Sequence, residues 1–222
     1  MKVAILIPAF NAETTLASLL QSISTMFDRR NVFVVDDGSS DCTSAVARQR
    51  GVNVLRHKWN LGKGAAHRTG FSYVLKQGYD AVITLDADGQ HDYRSLPRFV
   101  ARARKRGADI IVGSRRGDLS TMPLIRVFTN RLTSLVVSLL CGQRVDDSQS
   151  GYRLIRAGPL RNIRLTTRNY QTESEILIKA GRKGYRIESI PIPTIYAREV
   201  SYIQPFTDTM RFIWLFIRSL WV

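Results

Sequence analysis

Five short apolar runs, spaced by longer amphipathic stretches, constrain this 222-residue chain more than any other feature. Residues 3–7, 32–35, 52–55, 81–85 and 109–112 are rich in Val, Ile and Leu, the pattern of strands buried on both faces. Between most of them lie helix-length segments at 13–26, 40–50, 64–77 and 93–105. This alternation predicts an α/β fold: a mainly parallel central sheet with helices on both faces. In such folds ligands bind where strands end, so the residues that follow each strand are the candidates for chemistry.

Those residues are acidic and glycine-rich. Pro8-Ala9-Phe10-Asn11 follows the first run, Asp36 to Asp41 the second, Asn60 to Gly64 the third and Asp86 to His91 the fourth. Gly113, Ser114, Arg115 and Arg116 follow the fifth. The second half reads differently. Residues 123–141 are amphipathic, 146–154 are turn-rich, 173–183 look helical and 185–190 read as a strand. Pro191 and Pro193 are expected to end regular structure there. The last stretch, 208–222, mixes Phe212, Trp214, Leu215, Phe216, Leu220 and Trp221 with Arg211 and Arg218, as an interfacial helix does.

Composition narrows the class. With 44% apolar and 23% charged residues, disorder and fibrous repeats are excluded. Cys42 and Cys141 lie far apart without metal-ligand spacing, which predicts a reducing compartment. Only five apolar residues precede Pro8, too few for a signal-peptide core, and the uncharged run 132–143 is too short to span a bilayer. The formal net charge of +15 predicts an anionic partner. Ten Lys and Arg against two Asp between Arg94 and Arg131 concentrate it.

Asp86 and Asp88 at a strand end suit a hard divalent cation, Mg²⁺ or Mn²⁺, completed by substrate phosphates. Asp36 is placed to accept a hydrogen bond from a base or ribose, while Ser40 or Asp41 gives an N-cap signal. Gly62-Lys63-Gly64 matches neither the dinucleotide nor the triphosphate-loop fingerprint, but Lys63 at a helix start could hold a phosphate. Arg115 and Arg126 offer forks suited to phosphate.

Taken together, these residues resemble the family 2 glycosyltransferases, which have the GT-A fold and use nucleotide sugars. Ile7 to Asn11, Val35 to Thr43, Asn60 to Gly64 and Leu85 to Gln90 stand in that family's order and spacing. Beyond them, Gly113 to Arg115, Arg126 with Asn130, Asp147 to Arg153 and Tyr170 to Glu175 resemble the branch that transfers sugars to polyprenyl or dolichyl phosphate. The resemblance implies that Pro8, Phe10 and Asp36 contact the nucleotide, with Lys63 nearby. It implies that Asp86, Asp88 and Gln90 hold metal and diphosphate. Arg115 and Arg126 would bind the acceptor phosphate, with Asn130, Asp147 and Arg153 shaping that side. Asp88, Arg115, Arg126 and Asp147 are thus the expected catalytic set. One departure is that Ala12 follows Asn11 where many relatives have Glu, and Glu13 comes one later.

The chain is expected to form a single domain, 1–222. Its nucleotide-sugar part covers 1–115, its acceptor part 116–205, and a membrane-associating helix 206–222. The expected partners are a nucleotide-sugar donor, a polyprenyl phosphate and an anionic membrane surface at the cytoplasmic face, with room for an integral-membrane partner protein. Two rivals remain open. A hydroxyl-acceptor transferase would need a base, for which Asp147 is the nearest candidate. A basic nucleic-acid-binding module would need a recognition helix or stacking platform, and neither motif is present.

Overall fold

The computed structural model of the chain describes residues 1–105, 107–115, 124–169 and 171–193, with backbone alone at 124–126. The segment 206–222, expected as a membrane-associating helix, lies outside the described residues.

The elements run β1 (Val3–Ala9), α1 (Glu13–Ile23), β2 (Val32–Asp36), α2 (Thr43–Gln49), β3 (Asn53–Arg56), α3 (Lys63–Lys76) and β4 (Ala81–Thr84). They continue with α4 (Leu96–Arg104), β5 (Ile110–Ser114), α5 (Leu124–Cys141), β6 (Arg153–Arg156), α6 (Ala157–Asn162), α7 (Gln171–Arg182) and β7 (Ile187–Pro191). All five expected strands and the late one form, each within two residues of the expected bounds.

The strands make one seven-stranded sheet in the order β3-β2-β1-β4-β6-β5-β7. Pairings are parallel except those of β6, which runs antiparallel to both β4 and β5. The sequence reading saw only turns around β6, because Asp146 to Gly151 obscures a four-residue strand behind it. The short helix α6 follows, with Pro159 in its first turn, where proline is tolerated.

Alternate residues of β1 feed two cores. Ile5 and Ile7 pack with Leu16, Leu20 and Ile23 of α1 and with Leu96 and Phe99 of α4. Ala4 and Leu6 face Phe71 and Val74 of α3, Val137 of α5 and Ile176 and Leu177 of α7. Helices therefore cover both faces, and the continuous apolar runs follow from that burial.

The chain proceeds outward from β1 to β3, then returns to place β4 on the other side of β1. The β1–β4 register ends at Leu6 and Thr84, whereas β1 stays paired with β2 through Ala9 and Asp36. Beyond Leu6 the sheet opens, and Pro8 falls where no β4 partner needs its missing N–H. This opening is the topological switch point, where ligands of such sheets bind.

Phe99 is completely buried and stacks on Tyr152 of the loop before β6, with ring centroids 4.4 Å apart. Phe99→Ala is expected to destabilise the fold by about 3–5 kcal/mol, read by urea unfolding.

Candidate active site

Four loops converge on the opening. The turn after β1 places Asn11 at φ 48°, and its side chain accepts a hydrogen bond from the Ser40 amide at 3.0 Å. Phe10 beside it is half-buried and Pro8 is buried within β1. Glu13 accepts from the Cys42 amide, and Asp41 accepts from the Glu13 amide. The displaced acid of the first motif thus staples two loops together. Asp41 also accepts from Thr43 N at 3.0 Å, but Cys42, and neither Ser40 nor Asp41, occupies the N-cap position of α2.

Asp36 departs from the sequence reading. It is completely buried, and its carboxylate accepts from Ser39 N, from the Ser44 hydroxyl and, as an ion pair at 3.3 Å, from Arg56. Its acceptors are turned into the loop, where they shape the turn that follows β2. Asp37 is buried too. It receives the amides of Leu61 and Gly62 and lies 2.6 Å from His57 Nδ1, which anchors the Asn60 to Gly64 loop to β2.

That loop opens α3, yet its helix start is not a vacant phosphate site. The amides of Gly64 and Ala65 donate to the Arg168 carbonyl, at 2.7 and 3.2 Å. A Cβ at Gly64 would lie 2.0 Å from Thr172 Oγ1, so only glycine permits this approach. Lys63 instead turns inward. Its Nζ lies 2.7 Å from Asp86 Oδ1 and 2.8 Å from Glu173 Oε1. Burial works against the ammonium, but the two carboxylates overrule it and raise its pKa.

Asp86 is flanked by Lys63 and His91. Lys63 faces one oxygen, and His91 Nε2 lies 3.4 Å from the other. Burial alone would raise its pKa; Lys63 and His91 outweigh that and hold it well below the usual carboxylate range. Gly151 makes room for it, since a Cβ there would stand 2.6 Å from Asp86 Oδ2. Asp88 is shifted the other way, raised by burial and then by the charge of Asp86. The half-buried Gln90 donates its amide to Asp88 Oδ1 at 2.9 Å. The loop is held from beneath by Thr15 of α1, whose hydroxyl donates to the Ala87 carbonyl.

The acceptor-side residues form a second group. Asp147 is completely buried and accepts from Arg115 Nε at 2.8 Å, Arg115 Nη2 at 3.1 Å and Asn130 Nδ2 at 3.2 Å. Burial would raise its pKa, but Arg115 and then Asn130 lower it below the usual range. A carboxylate so committed orients Arg115 and is poorly suited to act as a base. Arg153 also differs from the expectation of an acceptor contact. Its guanidinium is buried and donates to the carbonyls of Ser150, Glu173 and Ser148. It holds the 148–150 loop from within, and burial lowers its pKa to about 10. The side chain of Arg126 lies outside the described residues.

The glycosyl transferase family 2 model matches residues 4–174. The chain belongs to that family. It is 33% identical over 211 residues to the undecaprenyl-phosphate mannosyltransferase of Micrococcus luteus, covering 90% of this chain and 86% of the relative. To the UDP-N-acetylglucosamine–dolichyl-phosphate N-acetylglucosaminyltransferase of Methanococcus voltae it is 30% identical, over 86% of this chain and 85% of that one. Among solved structures it is similar to the glucosyl-3-phosphoglycerate synthase of Mycobacterium tuberculosis, crystallised with Mn²⁺, uridine diphosphate and phosphoglyceric acid. The TM-score is 0.75 at 21% identity, over 99% of this chain and 77% of that one. The fold is GT-A.

Within this family-2 site, sequence reasoning passed over His91, Glu173 and His67. His91 directly follows the Asp86 to Gln90 motif, and Glu173 lies inside a motif already noted, so both were within reach. His67 carried no signal. It is buried one turn beyond Lys63, stacks on Phe71, and burial lowers its pKa to about 4, so it is neutral at pH 7.

Asp147→Asn is expected to cost about 3 kcal/mol at pH 7, because it leaves Arg115 without its buried counter-charge. The native carboxyl has a lowered pKa, so its contribution is complete above the unfolded value near ~4 and fades as pH falls below it. The gap between wild type and variant, measured by denaturant unfolding, should therefore close in acid.

Proposed function

We propose that this chain is an inverting hexosyltransferase that moves a sugar from a nucleotide-diphosphate donor to polyprenyl phosphate at a membrane surface. The observation that carries the choice of acceptor is the Arg115–Asp147 fork. The acceptor side presents an arginine held in plane by a buried carboxylate, and that carboxylate is committed to it. A hydroxyl acceptor would need a base there. A phosphate monoester, with a second pKa of ~6, is already an anionic nucleophile. The names of the relatives in Micrococcus luteus and Methanococcus voltae support the same acceptor class.

In this reading the lipid phosphate oxygen attacks the anomeric carbon from the Arg115 side. The nucleoside diphosphate leaves towards Asp86 and Asp88, and the configuration inverts. Arg115, with Arg126 from α5, positions and neutralises the acceptor; Asn130 and Arg153 hold the frame around it. Pro8 and Phe10 line the nucleotide side, and Gln90 closes the diphosphate loop. Donors of the GDP-mannose or UDP-glucose type fit the family pattern.

The paired carboxylates suit a divalent cation, Mg²⁺ or Mn²⁺. Burial, and then the charge of Asp86, raise the pKa of Asp88. Among the described residues no group of three or more His, Cys, Asp or Glu could hold a metal ion alone. A cation there would be held by one or two carboxylates and completed by substrate phosphate and water. Bound there beside Asp86, Asp88 and Gln90, it would offset the charge of the leaving diphosphate.

Helix α5 supports the membrane assignment. Phe128, Leu132, Leu135 and Leu139 stand 51–74% exposed along one face, next to Arg131. Among the described residues no helix is long and apolar enough to cross a membrane. Such a face suits shallow contact with an anionic bilayer, consistent with peripheral association at the cytoplasmic face.

Labelled GDP- and UDP-sugars offered with polyprenyl phosphate in anionic liposomes should yield a lipid-linked sugar. Transfer to soluble hydroxyl acceptors alone would reject the assignment. Arg126→Ala is expected to raise KM for polyprenyl phosphate about 10–100-fold and leave donor binding unchanged. Asp88→Asn should remove transfer and metal-dependent nucleotide binding while the thermal unfolding curve stays two-state.

A further inference from the structure

We propose that Glu173 is a positioning residue for the cation-binding carboxylates: it shares Lys63 with Asp86 and keeps the site's charge matched to a divalent cation. This rests on reading Asp86 and Asp88 as the cation's ligands. Glu173 lies in the first turn of α7, buried, on the acceptor half of the chain, and touches neither carboxylate directly. Its route to them is the Lys63 ammonium, centred between Glu173 Oε1 at 2.8 Å and Asp86 Oδ1 at 2.7 Å.

The charge count gives this geometry its consequence. Asp86, Asp88, Asp147 and Glu173 stand against Lys63, Arg115 and Arg153, which leaves one net negative charge around the opening. Without Glu173 the cluster is neutral, and Lys63 becomes the counter-ion of Asp86 alone. A lysine so placed competes directly with a metal ion for the same oxygen. With Glu173 present, the ammonium is divided between two acids, and Asp86 retains charge for the incoming cation.

The backbone enforces the sharing. Gly62 and Gly64 flank Lys63, and a Cβ on either would strike the 168–172 segment leading into α7. The Arg168 carbonyl takes the amides of Gly64 and Ala65, and Arg153 donates to the Glu173 carbonyl. Both ends of the bridge are therefore fixed before any ligand arrives. Outer partners of metal ligands typically change affinity by about 10–100-fold when removed.

The test titrates Mn²⁺ into purified full-length protein with GDP or UDP present, reading free Mn²⁺ by electron paramagnetic resonance. Glu173→Gln should bind Mn²⁺ about 10–100-fold more weakly than wild type. Lys63→Met combined with Glu173→Gln restores the net charge and should recover much of that loss, which no purely structural role for Glu173 would produce. Glu173→Asp, which keeps the charge, should stay closer to wild type than Glu173→Gln and serves if the glutamine variant does not fold. Wild-type affinity in Glu173→Gln, or a double variant no better than the single one, overturns the proposal. Failure of the wild type itself to bind Mn²⁺ overturns the cation reading beneath it.

Discussion

The Lys63 ammonium, clamped between Asp86 and Glu173, is the contact on which the site depends. It joins the end of β4, the start of α3 and the first turn of α7 at a single half-buried point. Charges placed there are tolerated only if paired, because an unpaired one would forfeit its hydration without return. Neighbouring features follow from that requirement. Asp37 secures the loop that delivers Lys63, two glycines allow its close approach, and Arg153 holds the backbone of Glu173.

The antiparallel strand β6 decides how the two halves of the site meet. Inserted between β4 and β5, it brings the 147–151 loop across the carboxyl ends of both. Gly151 then lies against Asp86, and Asp147 against Arg115. A parallel strand in that place would have delivered its preceding loop to the opposite edge of the sheet. The acids after β4 and the arginine after β5 are neighbours because one strand reverses direction.

Charge is distributed accordingly. The +15 of the whole chain invites a nucleic-acid partner, yet the opening of the sheet is lined by acids whose own cations are already engaged. The apolar face of α5 adds a surface of another kind, with four large side chains turned to solvent beside Arg131.

The sheet, its flanking helices and the loops that bear the chemistry were legible in the sequence. Burial on both faces demands continuous apolar runs, and strand ends demand glycine and polar residues. Asp86 with Asp88 was visible as one motif, and Arg115 and Asp147 as members of two separate ones. Their partners were not. Asp36 and Arg153 carry the same side chains whether they face a ligand or the protein interior, and only their buried contacts show that both turn inward. Lys63 looked like a phosphate ligand until folding brought Glu173 from the other half of the chain to its side. The sequence by itself determined which residue types stand at each strand end, because backbone burial and turn geometry act locally. Which of them point at a ligand and which at each other was decided by the tertiary structure, because a charge chooses its partner only when distant segments pack.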